Sequence, residues 1–154
     1  MQAKETGLSA TRKATAVWQG DLFKGSGTVS AGSSGHFSDL PVSWASRTEA
    51  VDGRTSPEEL LAAAHAACFS MALSNNLAKA GNTAERLEVS AEVTFAKQDA
   101  GWRVTRSALT VRGTVPGIDS EAFRAAAEAA KDGCPISQAL KGNVELSVDS
   151  SLAS

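Results

Sequence analysis

The sequence lacks an excess of positive charge. Its 15 lysines and arginines are matched by 17 aspartates and glutamates, a formal net charge of −2 over 154 residues. Because binding to phosphates requires a basic face, this balance argues against a nucleic-acid partner. It argues in the same way against attraction to an anionic membrane surface.

Long hydrophobic runs are also absent. The longest apolar stretch runs from Leu60 to Leu73 and is broken by His65 and Ser70. A membrane span needs roughly 20 apolar residues, which is more than this stretch offers. Residues 1–12 are polar and lack the apolar centre of a secretory signal. We therefore expect no membrane contact and a cytoplasmic location.

Cysteine and histidine are scarce. The chain has two cysteines, Cys68 and Cys134, and two histidines, and neither a C-x-x-C nor an H-E-x-x-H spacing occurs. We therefore expect no metal site. In a reducing cytoplasm, two cysteines are more typical of redox catalysis or of plain burial than of a structural bridge.

The first part of the chain predicts strands. A loose arm over residues 1–12 precedes a single domain over residues 13–150. Strands are predicted at 14–18 and 25–30, joined as a hairpin, and at 36–44, where Pro41 restricts the strand to a sheet edge or a bulge.

A long helix is the clearest element. Ser56 is a typical helix cap, Pro57 fits the first helical position, Glu59 completes a capping box, and Gly81 is a typical stop. The helix is apolar on nearly all sides. Because such a helix must be covered on all sides, we expect a partner subunit.

The second half of the chain predicts a hairpin, two helices and a strand. Apolar and polar residues alternate along the hairpin strands. In chain order, the predicted elements are strands at 87–95 and 101–115, a helix from Asp119 or Ser120 to about Lys131, a short helix from Cys134 to Gly142, a strand at 144–148, and a frayed tail after Asp149. The predicted fold class is α+β.

Cys68 is a candidate redox nucleophile, and a cysteine that only packs in the core is the competing interpretation. A cysteine nucleophile must be a thiolate. Cys68 lies about three turns from the predicted helix start, where the helix dipole contributes little. It therefore needs a cation from elsewhere, and the candidates are Arg47, Arg54 and His65.

Cys134 precedes Pro135 and is therefore a candidate N-cap, where free amide groups stabilise a thiolate. On these grounds alone it is the more acidic thiol. It is a candidate resolving cysteine if its Cα comes within ~7 Å of that of Cys68, and otherwise an ordinary loop cysteine. His65, three residues before Cys68, allows a Cys–His pair or, more simply, a satisfied core histidine.

Two cysteine motifs carry a resemblance to a known family. They are SPEELLAAAHAACFSMAL over residues 56–73 and GCPISQ over residues 133–138. The segments WQGD at 18–21, GSGTVS at 25–30 and VPGID at 115–119 also fit. In this order and spacing, they resemble the OsmC branch of the OsmC/Ohr family of bacterial hydroperoxide reductases over nearly the whole chain.

The resemblance implies an OsmC-like fold in an intertwined homodimer, with the long helix buried and the active sites at the subunit interface. It implies that Cys68 is the peroxidatic cysteine, that Cys134 is the resolving cysteine, and that Glu58 pairs with Arg47 or, failing that, with Arg54. The substrates implied are organic hydroperoxides and hydrogen peroxide. No metal, haem or flavin is implied, and an external dithiol, such as a lipoyl group, is the implied reductant.

Glu58 and Cys68 lie ten residues apart. On one helix this is a rise of about 15 Å, and the two side chains point in different directions. We therefore expect Arg47 and Glu58 of one subunit to serve Cys68 of the other.

The apolar neighbours Leu61, Phe69 and Met71 favour an organic hydroperoxide. Leu61 and Phe69 are predicted, with Arg47, to contact it. The same residues also suit core packing. Two alternatives to a peroxidase stay open: a non-catalytic stress or ligand-binding protein with the same fold, and a cysteine hydrolase built on Cys68 and His65.

Overall fold

The computed structural model describes residues 7–154, and the first six residues of the predicted arm lie outside this range. The chain divides into two compact units, one ending at Ser56 and the other spanning Pro57–Ser154. Within residues 7–154, no helix combines the length and the apolar character needed to cross a membrane.

The first unit is a three-stranded antiparallel sheet followed by a short helix. The sheet order is β1-β2-β3. The elements are β1 (Ala14–Gln19), β2 (Ser26–Ala31), β3 (Leu40–Val42) and α1 (Trp44–Thr48). The predicted hairpin is confirmed, and Pro41 lies in the edge strand β3.

The prediction that the third strand continues to Trp44 is wrong, because a helix begins there. Ser43 is the N-cap of α1, and its Oγ accepts a hydrogen bond from the Ser46 backbone N–H at 3.1 Å. In return, the Ser46 Oγ accepts from the Ser43 N–H at 3.2 Å. This reciprocal capping satisfies backbone groups that would otherwise be left unpaired at the helix start.

The second unit opens with the predicted long helix, α2 (Pro57–Lys79). The helix ends where the sequence predicts, since Gly81 has a φ of +89° that only glycine adopts readily. The Asn82 N–H donates to the Leu77 carbonyl at 2.9 Å, and the Gly81 N–H donates to the Ala78 carbonyl at 3.0 Å. Together they form a Schellman motif.

The second sheet has the order β4-β5-β6. Its strands are β4 (Arg86–Gln98), β5 (Gly101–Thr114) and β6 (Glu145–Leu152). β4 and β5 form the predicted antiparallel hairpin, and β6 runs parallel to β5. The predicted frayed tail is wrong: β6 continues to Leu152 because its backbone stays paired with β5 as far as Gly113.

The remaining helices are α3 (Ser120–Gly133) and α4 (Pro135–Leu140). Asp119 is the N-cap of α3, and its side chain accepts from the Ala122 N–H at 2.8 Å. The core forms where α2 and α3 pack with the sheet. Its fully buried large side chains include Phe69, Leu73, Leu77, Leu109, Val111 and Phe123. The α+β prediction is confirmed.

Within the second unit, α2 has one packed face. His65, Phe69, Leu73 and Leu77 recur every four residues along the helix and are buried. On other sides of the helix, Ala64 and Ala67 are exposed and Met71 keeps 70% of its surface exposed. An exposed face of small and apolar side chains on a central helix is typical of a surface that a partner covers.

Candidate active site

Cys134 joins two helices. It is the C-cap of α3, where its N–H donates to the Ala130 carbonyl at 2.9 Å, and the N-cap of α4. Its Sγ accepts from the Ser137 backbone N–H at 3.4 Å. The predicted N-cap is therefore confirmed, and Pro135 occupies the first turn of α4 as expected. The Cys134 side chain is fully buried.

Cys68 lies half-buried on α2 and packs against the core cluster that contains Cys134. Burial raises the pKa of the Cys68 thiol, and a hydrogen bond and charge interaction with the Cys134 thiol raise it further. The Ile136 backbone N–H, in the first turn of α4, donates a hydrogen bond to Cys68. This hydrogen bond lowers the pKa of the thiol and so offsets part of the increase. The two thiols are thus neighbours, and both are free of disulfide bonds.

The raised pKa of Cys68 favours the neutral thiol, which is a poor nucleophile. Burial disfavours the charged form of any acid, and the neighbouring thiol adds repulsion once it is ionised. A reactive Cys68 therefore needs a positive charge close to its sulfur.

His65 is fully buried on α2, and both of its ring nitrogens contact serine hydroxyls. Nδ1 lies 2.6 Å from the Ser107 Oγ on β5, and Nε2 lies 2.8 Å from the Ser137 Oγ on α4. Burial lowers the pKa of His65, which favours the neutral imidazole. The interpretation of His65 as a satisfied core histidine is confirmed.

Cys68 lies in the wall of an open groove with a volume of about 690 Å³. Its walls come from α2, α3 and the start of α4, and they are mostly apolar. The lining residues are Cys68, Met71, Ala72, Asn75, Asn76, Ala129, Ala130, Gly133 and Pro135. Neither predicted substrate contact on α2 lines this groove, because Phe69 points into the core with no exposed surface and Leu61 is half-buried elsewhere on the helix.

The two candidate arginines have different surroundings within the first unit. Arg47 is half-buried in α1, and its guanidinium carbon lies 5.6 Å from the centroid of the Trp44 ring. Arg54 is exposed and pairs with the Asp52 carboxylate at 3.6 Å. Glu58 lies in the first turn of α2 and is buried. Burial distinguishes Arg47 from the ordinary surface charge that Arg54 resembles.

Sequence patterns gave no sign of Ser107 and Ser137. Ser107 is a polar residue in the alternating strand β5, and Ser137 lies within the GCPISQ motif. Only the packing of α2 against β5 and α4 shows that both hydroxyls meet His65. Within residues 7–154, histidine, cysteine and carboxylate side chains form no group of three that could hold a metal ion.

The α+β fold of this chain agrees with the family comparison. The model of the OsmC-like protein family matches residues 50–149. This chain therefore belongs to the OsmC/Ohr family, and sequence identity places it in the OsmC branch.

Three relatives illustrate the match. Peroxiredoxin OsmC of Escherichia coli is 46% identical over 139 residues, which cover 90% of this chain and 96% of that protein. Organic hydroperoxide resistance protein OhrB of Bacillus subtilis is 29% identical and covers 83% of this chain and 97% of its own length. The crystal structure of OhrB superposes with a TM-score of 0.72, covering 90% of this chain and 98% of that one at 25% identity. An organic hydroperoxide resistance protein of Legionella pneumophila shares the fold with a TM-score of 0.69, covering 93% of this chain and 99% of its own at 24% identity.

Proposed function

We propose that this protein is a thiol-dependent peroxidase that reduces organic hydroperoxides and hydrogen peroxide to alcohol or water. The observation that carries the proposal is the pair of neighbouring free thiols, with Cys68 on an apolar groove and Cys134 buried beside it. The names of the E. coli and B. subtilis relatives, a peroxiredoxin and an organic hydroperoxide resistance protein, support the same chemistry.

In the first step, the Cys68 thiolate attacks one peroxide oxygen. A sulfur–oxygen bond forms, the oxygen–oxygen bond breaks, and the alkoxide leaves and takes up a proton to become the alcohol. Cys68 is oxidised to a sulfenic acid. The mostly apolar walls of the groove favour the organic part of a hydroperoxide.

In the second step, Cys134 attacks the sulfenic acid, a disulfide to Cys68 forms, and water leaves. This protects Cys68 from further oxidation. An external dithiol, such as a lipoyl group, then reduces the disulfide by thiol–disulfide exchange. No metal or organic cofactor enters this scheme. We propose the cytoplasm as the place of action, because a reducing compartment keeps the two thiols available.

The cation that Cys68 needs is proposed to be Arg47 of a partner subunit, oriented by Glu58 through a charge-assisted hydrogen bond. Glu58 and Cys68 of the same α2 are too far apart to act together, since ten residues of helix rise about 15 Å. A homodimer that covers the exposed face of α2 provides the second subunit.

The direct test is Cys68→Ser, assayed for consumption of cumene hydroperoxide with dithiothreitol as reductant. Turnover is expected to fall to background, because the attacking sulfur is gone. Cys134→Ser is the matched control: its Cys68 can still be oxidised once by an equivalent of peroxide, and mass analysis should find a sulfenic acid or its products there. Peroxidase turnover in Cys68→Ser would refute the proposal.

The hydrolase alternative receives no support from the contacts of His65. Nδ1 contacts the Ser107 hydroxyl and Nε2 contacts the Ser137 hydroxyl, so both ring nitrogens are engaged by serines. A Cys–His nucleophile requires a hydrogen bond between the two side chains.

A further inference from the structure

A chain of buried polar side chains leads from His65 to the sulfur of Cys134. The His65 Nε2 lies 2.8 Å from the Ser137 Oγ, and that Oγ lies 3.2 Å from the Cys134 Sγ. At the far end, the Ser107 Oγ lies 2.6 Å from Nδ1. His65, Ser107 and Cys134 have no exposed surface, and Ser137 keeps 1%. Burying polar groups is costly unless they are paired. The hydrogen bonds among these side chains therefore hold them in a fixed arrangement.

This series of hydrogen-bonded side chains can carry a proton away from the Cys134 sulfur. In one of its two arrangements, the Cys134 S–H donates to the Ser137 Oγ, the Ser137 O–H donates to Nε2, and the Nδ1–H donates to Ser107. A neutral imidazole has one donor and one acceptor nitrogen, which fits this arrangement. Burial lowers the pKa of His65, which favours the neutral ring that this arrangement requires.

Cys134 has a specific need for such a path. In the proposed reaction its thiol must lose a proton to attack the oxidised Cys68, but its side chain is fully buried. Bulk water therefore has no direct access to the thiol proton. The Ser137 hydroxyl is the polar side-chain group that contacts the sulfur at 3.2 Å.

We propose that His65, acting through the Ser137 hydroxyl, is a positioning residue that receives the Cys134 thiol proton during disulfide formation. The inference rests on the proposed peroxidase function and deepens it. The sulfur–sulfur bond forms, the sulfur–oxygen bond of the Cys68 sulfenic acid breaks, and hydroxide leaves. The proton passes from Cys134 through Ser137 to His65 and then neutralises the hydroxide, so that one water is released and the imidazole is neutral again. The hydroperoxide that made the sulfenic acid is the only oxidant required.

The test measures the two steps separately after one equivalent of cumene hydroperoxide. Sulfenic acid at Cys68 is trapped with dimedone at timed intervals, and the disulfide is quantified by mass analysis. In Ser137→Ala and in His65→Gln, the rate of disulfide formation divided by the rate of sulfenic acid formation should fall about tenfold or more. The glutamine side chain can hydrogen-bond to Ser137 but cannot take its proton, which separates proton transfer from packing.

Ser107→Ala is the matched control. It removes the same hydroxyl from an equally buried serine on the same imidazole, and it leaves the link to Cys134 in place. Ser107→Ala should lower the rate of disulfide formation, divided by the rate of sulfenic acid formation, at least fivefold less than Ser137→Ala does. A normal ratio in His65→Gln, or equal effects of the two serine variants, would overturn the inference while leaving the peroxidase proposal intact. If the wild-type protein forms no sulfenic acid, the proposed function itself fails.

Discussion

At the scale of the residue, Cys68 must be both buried and ionised, and these two requirements conflict. The groove that is proposed to admit a peroxide also keeps water from the sulfur, and burial raises the pKa of the thiol. The Ile136 N–H offsets this only in part. A peroxide-reducing thiol must nevertheless be ionised to react. A guanidinium near the sulfur is the simplest means of reconciling burial with ionisation.

Arg47→Ala is therefore expected to raise the pKa of Cys68 further, because loss of the positive charge proposed to lie near the sulfur destabilises the thiolate. Since only the thiolate is alkylated, the pH at which iodoacetamide reaches half its maximal rate at Cys68 should move upward. Peptide mass analysis distinguishes this site from the buried Cys134.

Arg54→Ala is the matched control for that measurement. Arg54 is exposed and already paired with Asp52, so its loss should leave the alkylation profile of Cys68 unchanged. If Arg54→Ala moves the profile and Arg47→Ala does not, the assignment of the active-site arginine is reversed.

At the scale of the element, the contact between β5 and α3 depends on one glycine. A Cβ added at Gly113 would lie 2.6 Å from the Phe123 Cζ and 3.2 Å from the Leu87 Cδ2. The Phe123 ring has 1% of its surface exposed and cannot move into open space. The absence of a side chain at Gly113 therefore leaves room for the Phe123 ring of α3 against β5.

Gly113→Ala is expected to lower the free energy of unfolding by about 1–3 kcal/mol, as overpacking of a close-packed core does. Guanidinium unfolding at fixed protein concentration measures this. Gly133→Ala is the control, because no atom lies within 4 Å of its added Cβ and alanine favours the helix in which it lies. If both variants unfold at the same denaturant concentration, the strand–helix contact is less tight than described.

Elements with strong local signals were predictable, and those that depend on tertiary pairing were not. Pro57 and Gly81 bound α2 through capping and turn geometry that sequence alone determines. The tail after Asp149 showed no such signal, because β6 extends to Leu152 only through pairing with β5. The same limit applies to the site: the motif identified Cys134, but Ser107 meets His65 only across the packed core.

At the scale of the whole molecule, the feature that needs explaining is the exposed face of α2. Its packed face is complete within the second unit, yet Met71 and the neighbouring small residues are open. Glu58 lies about 15 Å along the same helix from Cys68 and has no means of reaching that sulfur within one chain. The proposed homodimer would answer both problems, because a second copy of the chain would cover the open face and bring another Glu58 to the site.

This arrangement predicts complementation between inactive chains. Cys68→Ser and Glu58→Ala should each be inactive or nearly so, because each removes a component from both sites of a homodimer. When the two variants are mixed in equal amounts, unfolded together and refolded, about half of the dimers formed at random are heterodimers. Each heterodimer has one site with an intact Cys68 and an intact Glu58 from the opposite chain, and another site that lacks both.

Peroxidase activity of the mixture should therefore rise to about a quarter of that of the wild-type protein, measured as cumene hydroperoxide consumption per chain. The control is a mixture of Cys68→Ser with a Glu58→Ala, Cys68→Ser double variant, in which no dimer holds a complete site. Activity in the first mixture no higher than in this control would contradict a site shared between two chains. Since the helix geometry excludes action of Glu58 on Cys68 of its own chain, the glutamate would then lose its assigned role.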